Sequence, residues 1–389
     1  MRVCVISFKE CWQEPDGTWH STGGFPMQMR AIGSLFDDMT LLVVAVPRAS
    51  GGSPLPSGAE VIPLPSPSGE DLQRKLSVVR HLADHLSLMR RHVLRADVVH
   101  TPLPGDLALL GFLTGAAHRR RLLVRYGGSW ERTSESTAMN SVTRMLMRAL
   151  AGRRNVMLAT GAGGGQPAPG IHWMFTTAVS SDEVKAIQPD LQRARAVPLR
   201  VAYAGRLSSE KGVRYLIDAL GILHRRVGAP PVALTLLGGG SERRELEQQA
   251  CEQGVTDLVC FRGQVGRTEL LQELLRSDLC VLPSLTESFC KARLDAMLCG
   301  VPVVTTPVGF GRALIGPDGE RGWLVPPKRA DLLADRLAAV AVEPSDYSSL
   351  RTRCRRFAEN YTVEAWARAI GEICSSQWRM RLVNGKLLP

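Results

Sequence analysis

Acidic and basic side chains crowd one short stretch of the chain, TESFCKARLDAMLCGVPVV, from Thr286 to Val304. Seven residues separate Glu287 from Asp295, and Lys291 and Arg293 lie between the two acids. A stretch that serves only stability usually carries apolar or capping residues at such a place. We therefore interpret this cluster as a functional site.

The residues around the cluster predict a strand, a loop and a helix. The apolar run LCVLPS precedes it, and the apolar positions from Ala292 to Leu298 suit a helix that Gly300 caps in a left-handed conformation and Pro302 ends. The amino terminus of this helix faces the loop, and such a terminus attracts anions. The cluster is thus expected at the carboxyl end of a strand.

The chain as a whole predicts the α/β class. With 389 residues and 44% hydrophobic composition, it is long enough for two domains. Short apolar strands alternate with helical patterns in both halves, which indicates doubly wound parallel sheets in two Rossmann-like domains, 1–178 and 179–362. Ligands bind outside the carboxyl ends of such strands, so two domains that face each other across a cleft form the expected site.

The net charge of +11 comes mainly from arginine. We rank nucleic-acid binding low, because the basic residues form no tail, aromatic residues are few and no binding motif is present. A phosphorylated substrate or peripheral contact with an anionic membrane explains the charge as well. A basic amphipathic pattern from Leu72 to Arg95 is interpreted as an ordinary packed helix in preference to a membrane-surface helix.

Cysteine usage and hydropathy favour a cytoplasmic protein. Nine cysteines are scattered from Cys4 to Cys374 without a close pair, a pattern that suits reduced thiols and predicts neither a disulfide framework nor a metal site. No run of 18 apolar residues is present, and the first residues enter a strand-like pattern directly. We expect a cytoplasmic location, and peripheral contact with the inner face of the membrane stays open beside it.

Three glycine-bearing turns share the predicted ligand-binding edge with the cluster. They are TGGFP with Gly23 and Gly24, YGGSW with Gly127 and Gly128, and LGGGSE with Gly238 to Gly240. Each pair alone is weak evidence, because a loop that needs positive φ angles also selects glycine. Their common position at strand ends favours a binding role.

The motif YAGRLSSEKG, residues 203 to 212, resembles the retaining GT-B glycosyltransferases of the large family four, the glycosyl transferases group 1. The resemblance covers residues 199–340 well and the first half in outline. It implies that Arg206 and Lys211 hold the diphosphate of a sugar nucleotide. Fixed cations stabilise the charge that builds on a departing diphosphate, so the chemistry agrees with this role.

The resemblance also gives roles to the cluster. It implies that Glu287 binds hydroxyls of the transferred sugar, that the backbone of Ser288, Phe289 and Cys290 wraps the sugar, and that amides near Ala292 and Arg293 receive the phosphates. Asp295, where the family usually has Glu, is expected at the ribose hydroxyls. The remaining residues assigned to the donor are Gly205, Gly238, Gly239, Lys291, Gly263 and Val265, the last two in the turn FRGQV that resembles the base-contacting turn.

The first half departs from the family pattern. Many relatives place a histidine at the end of the strand that here reads LLVRYGGSW, where this chain has Arg125 and Tyr126. His100 also ends a strand, and we interpret it as structural. The acceptor side is assigned to Gly23, Gly24, Tyr126, Gly127 and Trp130. A final helix over 363–381 is expected to pack back on the first domain, as in the family.

These observations predict a retaining glycosyltransferase. It would move a sugar from a nucleotide-diphosphate sugar, with UDP favoured, to a small-molecule, lipid-linked or glycan acceptor, without a metal or other cofactor. Two alternatives remain open: a catalytically silent GT-B nucleotide-binding module, suggested by the absent histidine, and a nucleic-acid binder. Donor hydrolysis separates the first from an enzyme, and steep salt-dependent affinity for oligonucleotides would support the second.

Overall fold

A computed structural model describes residues 1–47, 52–66, 80–131, 136–162, 165–317, 319–342 and 346–389. The chain divides into two compact units. Unit 1 consists of Met1–Ser180 and Thr362–Pro389, and unit 2 consists of Ser181–Tyr361. The sequence placed the corresponding boundaries after residues 178 and 362.

Unit 1 is built on a mainly parallel sheet. Its strands are β1 (Arg2–Gln13), β2 (Trp19–Ser21), β3 (Asp38–Ala45), β4 (Ser53–Pro54), β5 (Ala59–Leu64), β6 (Val98–Leu103), β7 (Arg121–Tyr126), β8 (Asn155–Thr160) and β9 (Ile171–Met174). The parallel order is β5-β3-β1-β6-β7-β8-β9, and β2 and β4 add an antiparallel extension beside the end of β1. All six residues of β6 are buried, as expected for a central strand covered on both faces.

Helices cover both faces of this sheet. The helices between strands are α1 (Phe25–Gly33), α2 (Leu82–Val93), α3 (Asp106–Ala117) and α4 (Ala138–Leu150). One core cluster joins α1 to the sheet, and a second joins α2, α3 and α4 to the opposite face. Only part of the amphipathic pattern predicted from Leu72 to Arg95 is seen, since residues 67–79 lie outside the described residues.

Unit 2 repeats the doubly wound plan. Its strands are β10 (Leu199–Ala204), β11 (Val232–Leu237), β12 (Val259–Gly263), β13 (Leu279–Leu282), β14 (Val303–Thr305) and β15 (Gly322–Leu324), in the all-parallel order β12-β11-β10-β13-β14-β15. Its helices are α5 (Ser181–Ala186), α6 (Val213–His224), α7 (Arg243–Glu252), α8 (Arg267–Arg276), α9 (Lys291–Leu298), α10 (Gly311–Ile315), α11 (Ala330–Val342) and α12 (Tyr347–Ala358). The chain order reverses between β10 and β13, and ligands bind at such a switch point.

The chain ends in unit 1. Helix α13 (Val363–Trp378) packs beside α1, and its Trp366 is fully buried in the same core cluster. Arg379 then adopts a left-handed conformation, and a short hairpin of β16 (Arg381–Val383) and β17 (Lys386–Leu388) follows. The helix predicted over 363–381 is thus three residues shorter and lies on the first unit. No helix among the described residues is long and apolar enough to cross a membrane.

Candidate donor site in unit 2

The loops that follow β10 and β13 meet at the carboxyl edge of the unit 2 sheet. These strands are parallel neighbours, so their loops emerge side by side. The Leu285 amide donates to the carbonyl of Glu210 at 2.8 Å. Gly212 has φ +66°, and a Cβ there would lie 2.4 Å from the Pro283 carbonyl oxygen. This position therefore requires glycine, and the close approach fixes the two loops against each other.

Lys211 and Glu287 form an ion pair across these loops. Lys211 Nζ lies 2.5 Å from Glu287 Oε2, and the two side chains are only 17% and 14% exposed. The fold thus brings together two of the three residues that the sequence assigned to catalysis. Partial burial strengthens their attraction, because water screens a pair on an open surface far more.

Arg206, the third of these residues, is held more loosely. Its side chain is 76% exposed, and its guanidinium lies 3.4 Å from Glu210 Oε1. Burial tends to raise the pKa of Glu210, but hydrogen bonds from Ser208 and the backbone, with the nearby cations, lower it overall. Glu210 is therefore a carboxylate that neutralises part of the local positive charge, a partner that sequence reasoning missed.

The loop after β13 delivers the chain into α9. Cys290 precedes the helix with φ 57° and ψ 85°, a left-handed conformation that is uncommon outside glycine. The Arg293 amide donates to the Cys290 carbonyl at 3.1 Å. This bond gives the Arg293 amide a partner within the loop, and the role of the amides near Ala292 and Arg293 at the phosphates stays a prediction. The amides of Lys291 and Ala292 lie in the first turn of the helix, at the positive end of its dipole.

The Arg293 side chain lies beneath the site. It is fully buried and donates from Nε to Thr305 Oγ1 at 3.0 Å and from Nη1 to the Val308 carbonyl at 3.3 Å. Its Nη2 has no hydrogen-bond partner among the described residues. Arg293 therefore contributes positive potential from below the helix terminus.

Phe289 supports the loop after β13 from behind. Its ring is 1% exposed and stacks on Phe310 with centroids 4.7 Å apart. The Phe310 amide also donates to the Ser288 carbonyl at 3.1 Å. The Phe289 side chain is therefore part of the core, and the wrapping of the sugar by the backbone of this loop stays a prediction.

Asp295 is buried on α9 and pairs with a residue that the sequence did not single out. Arg267 Nη1 lies 2.7 Å from Asp295 Oδ1, and Arg267 Nε lies 2.7 Å from Glu183 Oε1. Burial raises the pKa of Asp295, and the attraction of Arg267 and Lys291 offsets this only in part. Arg267 begins α8 two residues after Val265, so the pair lies beside the predicted base-contacting turn. The ribose role of Asp295 stays a prediction.

The glycine turns after β10, β11 and β12 are hydrogen-bonded to one another. The Gly205 amide donates to Leu237 at 3.0 Å, the Gly238 amide to Gly263 at 2.8 Å, and the Leu207 amide to Gly239 at 2.9 Å. A Cβ on Gly238 would lie 1.8 Å from the Gly205 carbonyl oxygen. The four glycines assigned to the donor thus form one continuous edge.

The residues assigned to the acceptor side lie in unit 1. Gly23 has φ +70°, Gly24 precedes α1, and the Gly127 amide donates to the Leu103 carbonyl at 2.7 Å. Tyr126 is 1% exposed and Trp130 is 6% exposed, and their rings meet edge to face at 5.8 Å. This burial corrects the expectation that both rings are available to an acceptor.

Arg125 occupies the strand-end position at which many members of the resembled family have a histidine. It donates to Gln28 Oε1 at 3.0 Å and to Thr176 Oγ1 at 3.4 Å, and its guanidinium lies 5.5 Å from the centre of the Trp366 ring. Burial lowers its pKa to about 10. His100 is fully buried, and burial with nearby Arg125 lowers its pKa to about 3, so it is a neutral structural group at ordinary pH.

Metal-binding side chains are not grouped in the part of the chain that the structure describes. No three His, Cys, Asp or Glu residues there lie close enough to hold an ion together. The charged side chains where the loops after β10 and β13 meet include two ion pairs, Lys211 with Glu287 and Arg206 with Glu210.

Solved structures share the fold of the whole chain. The Anabaena protein HepE, in complex with UDP, superimposes with a TM-score of 0.68 at 19% identity, over 97% of this chain and 100% of that one. A sucrose-phosphate synthase from Thermosynechococcus elongatus gives 0.72 at 19% identity, over 97% and 99%. Likeness at this identity establishes the fold, and the predicted GT-B fold with two Rossmann-like domains is confirmed.

Sequence relatives match the second half. A glycogen synthase of Mycobacterium tuberculosis is 37% identical over 155 residues, 40% of this chain and 36% of that protein. A D-inositol 3-phosphate glycosyltransferase of Paenarthrobacter aurescens is 33% identical over 162 residues, 40% of this chain and 38% of that protein. The chain thus spans less than two fifths of the length of these relatives. Residues 192–376, a little under half of the chain, match the family model described as Glycosyl transferases group 1.

Proposed function

We propose that this chain is a retaining glycosyltransferase that transfers a sugar from a UDP-sugar to a hydroxyl acceptor without a divalent metal. The observation that carries the proposal is the Lys211–Glu287 ion pair, held beside the amino terminus of α9 at the switch point of the unit 2 sheet. UDP is favoured because HepE, which shares the fold, is described in complex with UDP and with UDP-glucose.

Binding of the donor exchanges the partners of this pair. The diphosphate takes Lys211 from Glu287, and the α9 amides of Lys291 and Ala292 receive phosphate oxygens. Glu287 is then free to accept hydrogen bonds from hydroxyls of the sugar. Lys211 thus has an anionic partner before and after binding, and hydrogen bonds from the sugar hydroxyls replace the cation beside the Glu287 carboxylate.

The transfer itself breaks the bond between the anomeric carbon and the phosphate oxygen. The acceptor oxygen forms the new bond on the same face, and its proton passes to the departing phosphate oxygen. Retention therefore requires no histidine base, and fixed cations supply the charge stabilisation that the leaving diphosphate needs. Lys211 and the exposed Arg206 provide these cations, and the helix terminus adds a partial positive charge.

Unit 1 is proposed to carry the acceptor side through the backbone of Gly23, Gly24 and Gly127. The acceptor is a small molecule, a lipid-linked molecule or a glycan. All nine cysteines are free thiols, which favours a reducing, cytoplasmic location.

Thermal stability with and without nucleotides tests the proposal. UDP at 100 times its dissociation constant should stabilise the chain by about 2.7 kcal/mol, and ADP and GDP should do less at the same concentration. Donor hydrolysis then distinguishes the enzyme from a catalytically silent binding module. A chain that no nucleoside diphosphate stabilises would refute the proposal.

A further inference from the structure

Helix α4 of unit 1 exposes three large apolar side chains. Met139, Val142 and Met145 are 41%, 42% and 58% exposed, whereas Met147 is fully buried in the core cluster under the helix. Thr143 and Arg144, on the side of the helix that carries Met147, are 1% and 5% exposed. α4 thus packs some of its apolar residues on the core, as a surface helix normally does, and leaves three more in water.

Buried hydrogen bonds help to fix the orientation of α4. Arg144 donates from Nη1 to the carbonyls of Ser129 and Glu131, at 3.2 and 3.4 Å, and from Nη2 to Ser141 Oγ at 3.3 Å. Turning the exposed apolar residues inward would break these bonds and bring Met147 out of the core. Met139, Val142 and Met145 therefore stay at the surface.

Exposed apolar side chains also mark the neighbouring helices. We call α2, α3 and α4, with the residues that directly follow each, the helical layer. Of the eleven large apolar residues exposed in the described parts of the chain, six belong to this layer: Leu86, Leu94, Leu113, Met139, Val142 and Met145. A concentration of this kind marks an interaction surface.

Arginines without acidic partners line one edge of the helical layer. They follow or end the three helices: Arg90, Arg91, Arg95, Arg119, Arg120, Arg121, Arg148, Arg153 and Arg154. Within the described residues, none of the nine forms an ion pair with a carboxylate. The sequence explains this, because Asp97 and Asp106 are the only acids from residue 85 to 130, and residues 136–181 contain none.

Contacts between the helix ends make this edge continuous. Arg120 Nη2 donates to the Leu94 carbonyl at 2.8 Å, which joins the ends of α3 and α2. Arg154 donates to the Arg119 carbonyl, which joins the ends of α4 and α3. The basic residues therefore form one band next to the exposed apolar residues.

We propose that the helical layer docks on an anionic phospholipid surface. The Met and Val side chains of α4 would enter the boundary between headgroups and acyl chains, and the arginine band would contact lipid phosphates. A nucleic acid would use the arginines but leave Val142 and Met145 in water. A second copy of the chain would bring two unpaired basic bands together. The inference uses no residue of the donor site, so it stands independently of the proposed function.

Vesicle flotation of the full chain, without nucleotide, tests this proposal. The chain should float with phosphatidylcholine vesicles that contain phosphatidylglycerol, and much less with phosphatidylcholine alone or at high salt. Met145→Glu and Arg153→Glu should each lower partitioning by about tenfold or more. Val342→Glu and Arg244→Glu are the matched controls, because they make the same changes at exposed sites of unit 2 and should bind as the unchanged chain does.

Circular dichroism melting of all four variants checks folding, which these exposed substitutions should preserve. The proposal is overturned if the chain does not bind anionic vesicles. It is equally overturned if Met145→Glu and Arg153→Glu float with the vesicles as well as the two control variants do. It is also overturned if oligonucleotides bind the arginine band more tightly than vesicles do. The same holds if light scattering shows a dimer that Met145→Glu converts to a monomer.

Discussion

Lys211→Ala removes the cation that the proposal places at the leaving diphosphate. In the free protein, Glu287 then keeps a carboxylate that is 14% exposed and has lost a partner 2.5 Å away. Breaking a pair buried to this extent costs about 2 to 4 kcal/mol of unfolding free energy. In the transition state, the unpaired phosphate charge costs roughly 2 to 5 kcal/mol, about 30- to 5,000-fold in kcat/KM.

Two measurements separate these effects. Urea denaturation reports stability, and initial rates of UDP-sugar consumption report activity. The double variant Lys211→Met with Glu287→Gln should regain most of the stability, because no charge is left unpaired, but none of the activity. Lys185→Ala is the matched control, since it removes an exposed pair with Asp182 at 3.7 Å and should change neither quantity measurably. A Lys211→Ala enzyme within about threefold of the original kcat/KM would refute the reasoning.

Substitutions at Glu287, Asp295 and Arg267 test other parts of the donor site. Glu287→Gln should lower turnover strongly while calorimetry shows nearly unchanged UDP affinity, and a joint collapse of both would contradict its role at the sugar. Asp295→Ala should weaken UDP binding and Asp295→Glu should largely preserve it; equal affinity in all three proteins would remove Asp295 from the site. Arg267→Ala should cost about 3 kcal/mol in urea denaturation, because it leaves the Asp295 carboxylate buried without its cation. Adding Asp295→Asn should restore most of that loss, and no restoration would contradict the assigned pairing.

Local signals predicted the segment around the cluster well. The apolar run became β13, the helix became α9, and Gly300 adopts the left-handed conformation with φ +68°. The meeting of Lys211 with Glu287 follows from topology, since adjacent parallel strands deliver their loops to the same edge. The Arg267–Asp295 pair had no such signal, because it joins two helices through side chains that no sequence period relates.

Strand alternation explains the error at Tyr126. Leu122, Val124 and Tyr126 share one face of β7 and all enter the core cluster under α2, α3 and α4. Arg125 therefore points to the opposite face, where it contacts α1 and α13. The alternation of buried and exposed residues along this strand predicts a buried tyrosine. The site role was assigned instead because glycines follow the tyrosine at the strand end.

The exposed apolar residues of α4 were also missed. The basic pattern from Leu72 to Arg95 was the surface feature that the sequence analysis considered, whereas the structure exposes Met139, Val142 and Met145 on α4. Arg144 helps to fix this orientation by donating to carbonyls in the preceding loop, a contact that no sequence period signals.

The most direct test of the central claim is a proton NMR time course of UDP-glucose with the full chain in excess EDTA. Hydrolysis is the transfer reaction with water as acceptor, so it requires no knowledge of the natural acceptor. The account predicts that donor is consumed without a divalent metal and that α-glucose is released first, before it equilibrates with the β-anomer. Initial release of β-glucose, or turnover that stops in EDTA and returns with magnesium or manganese, would contradict it.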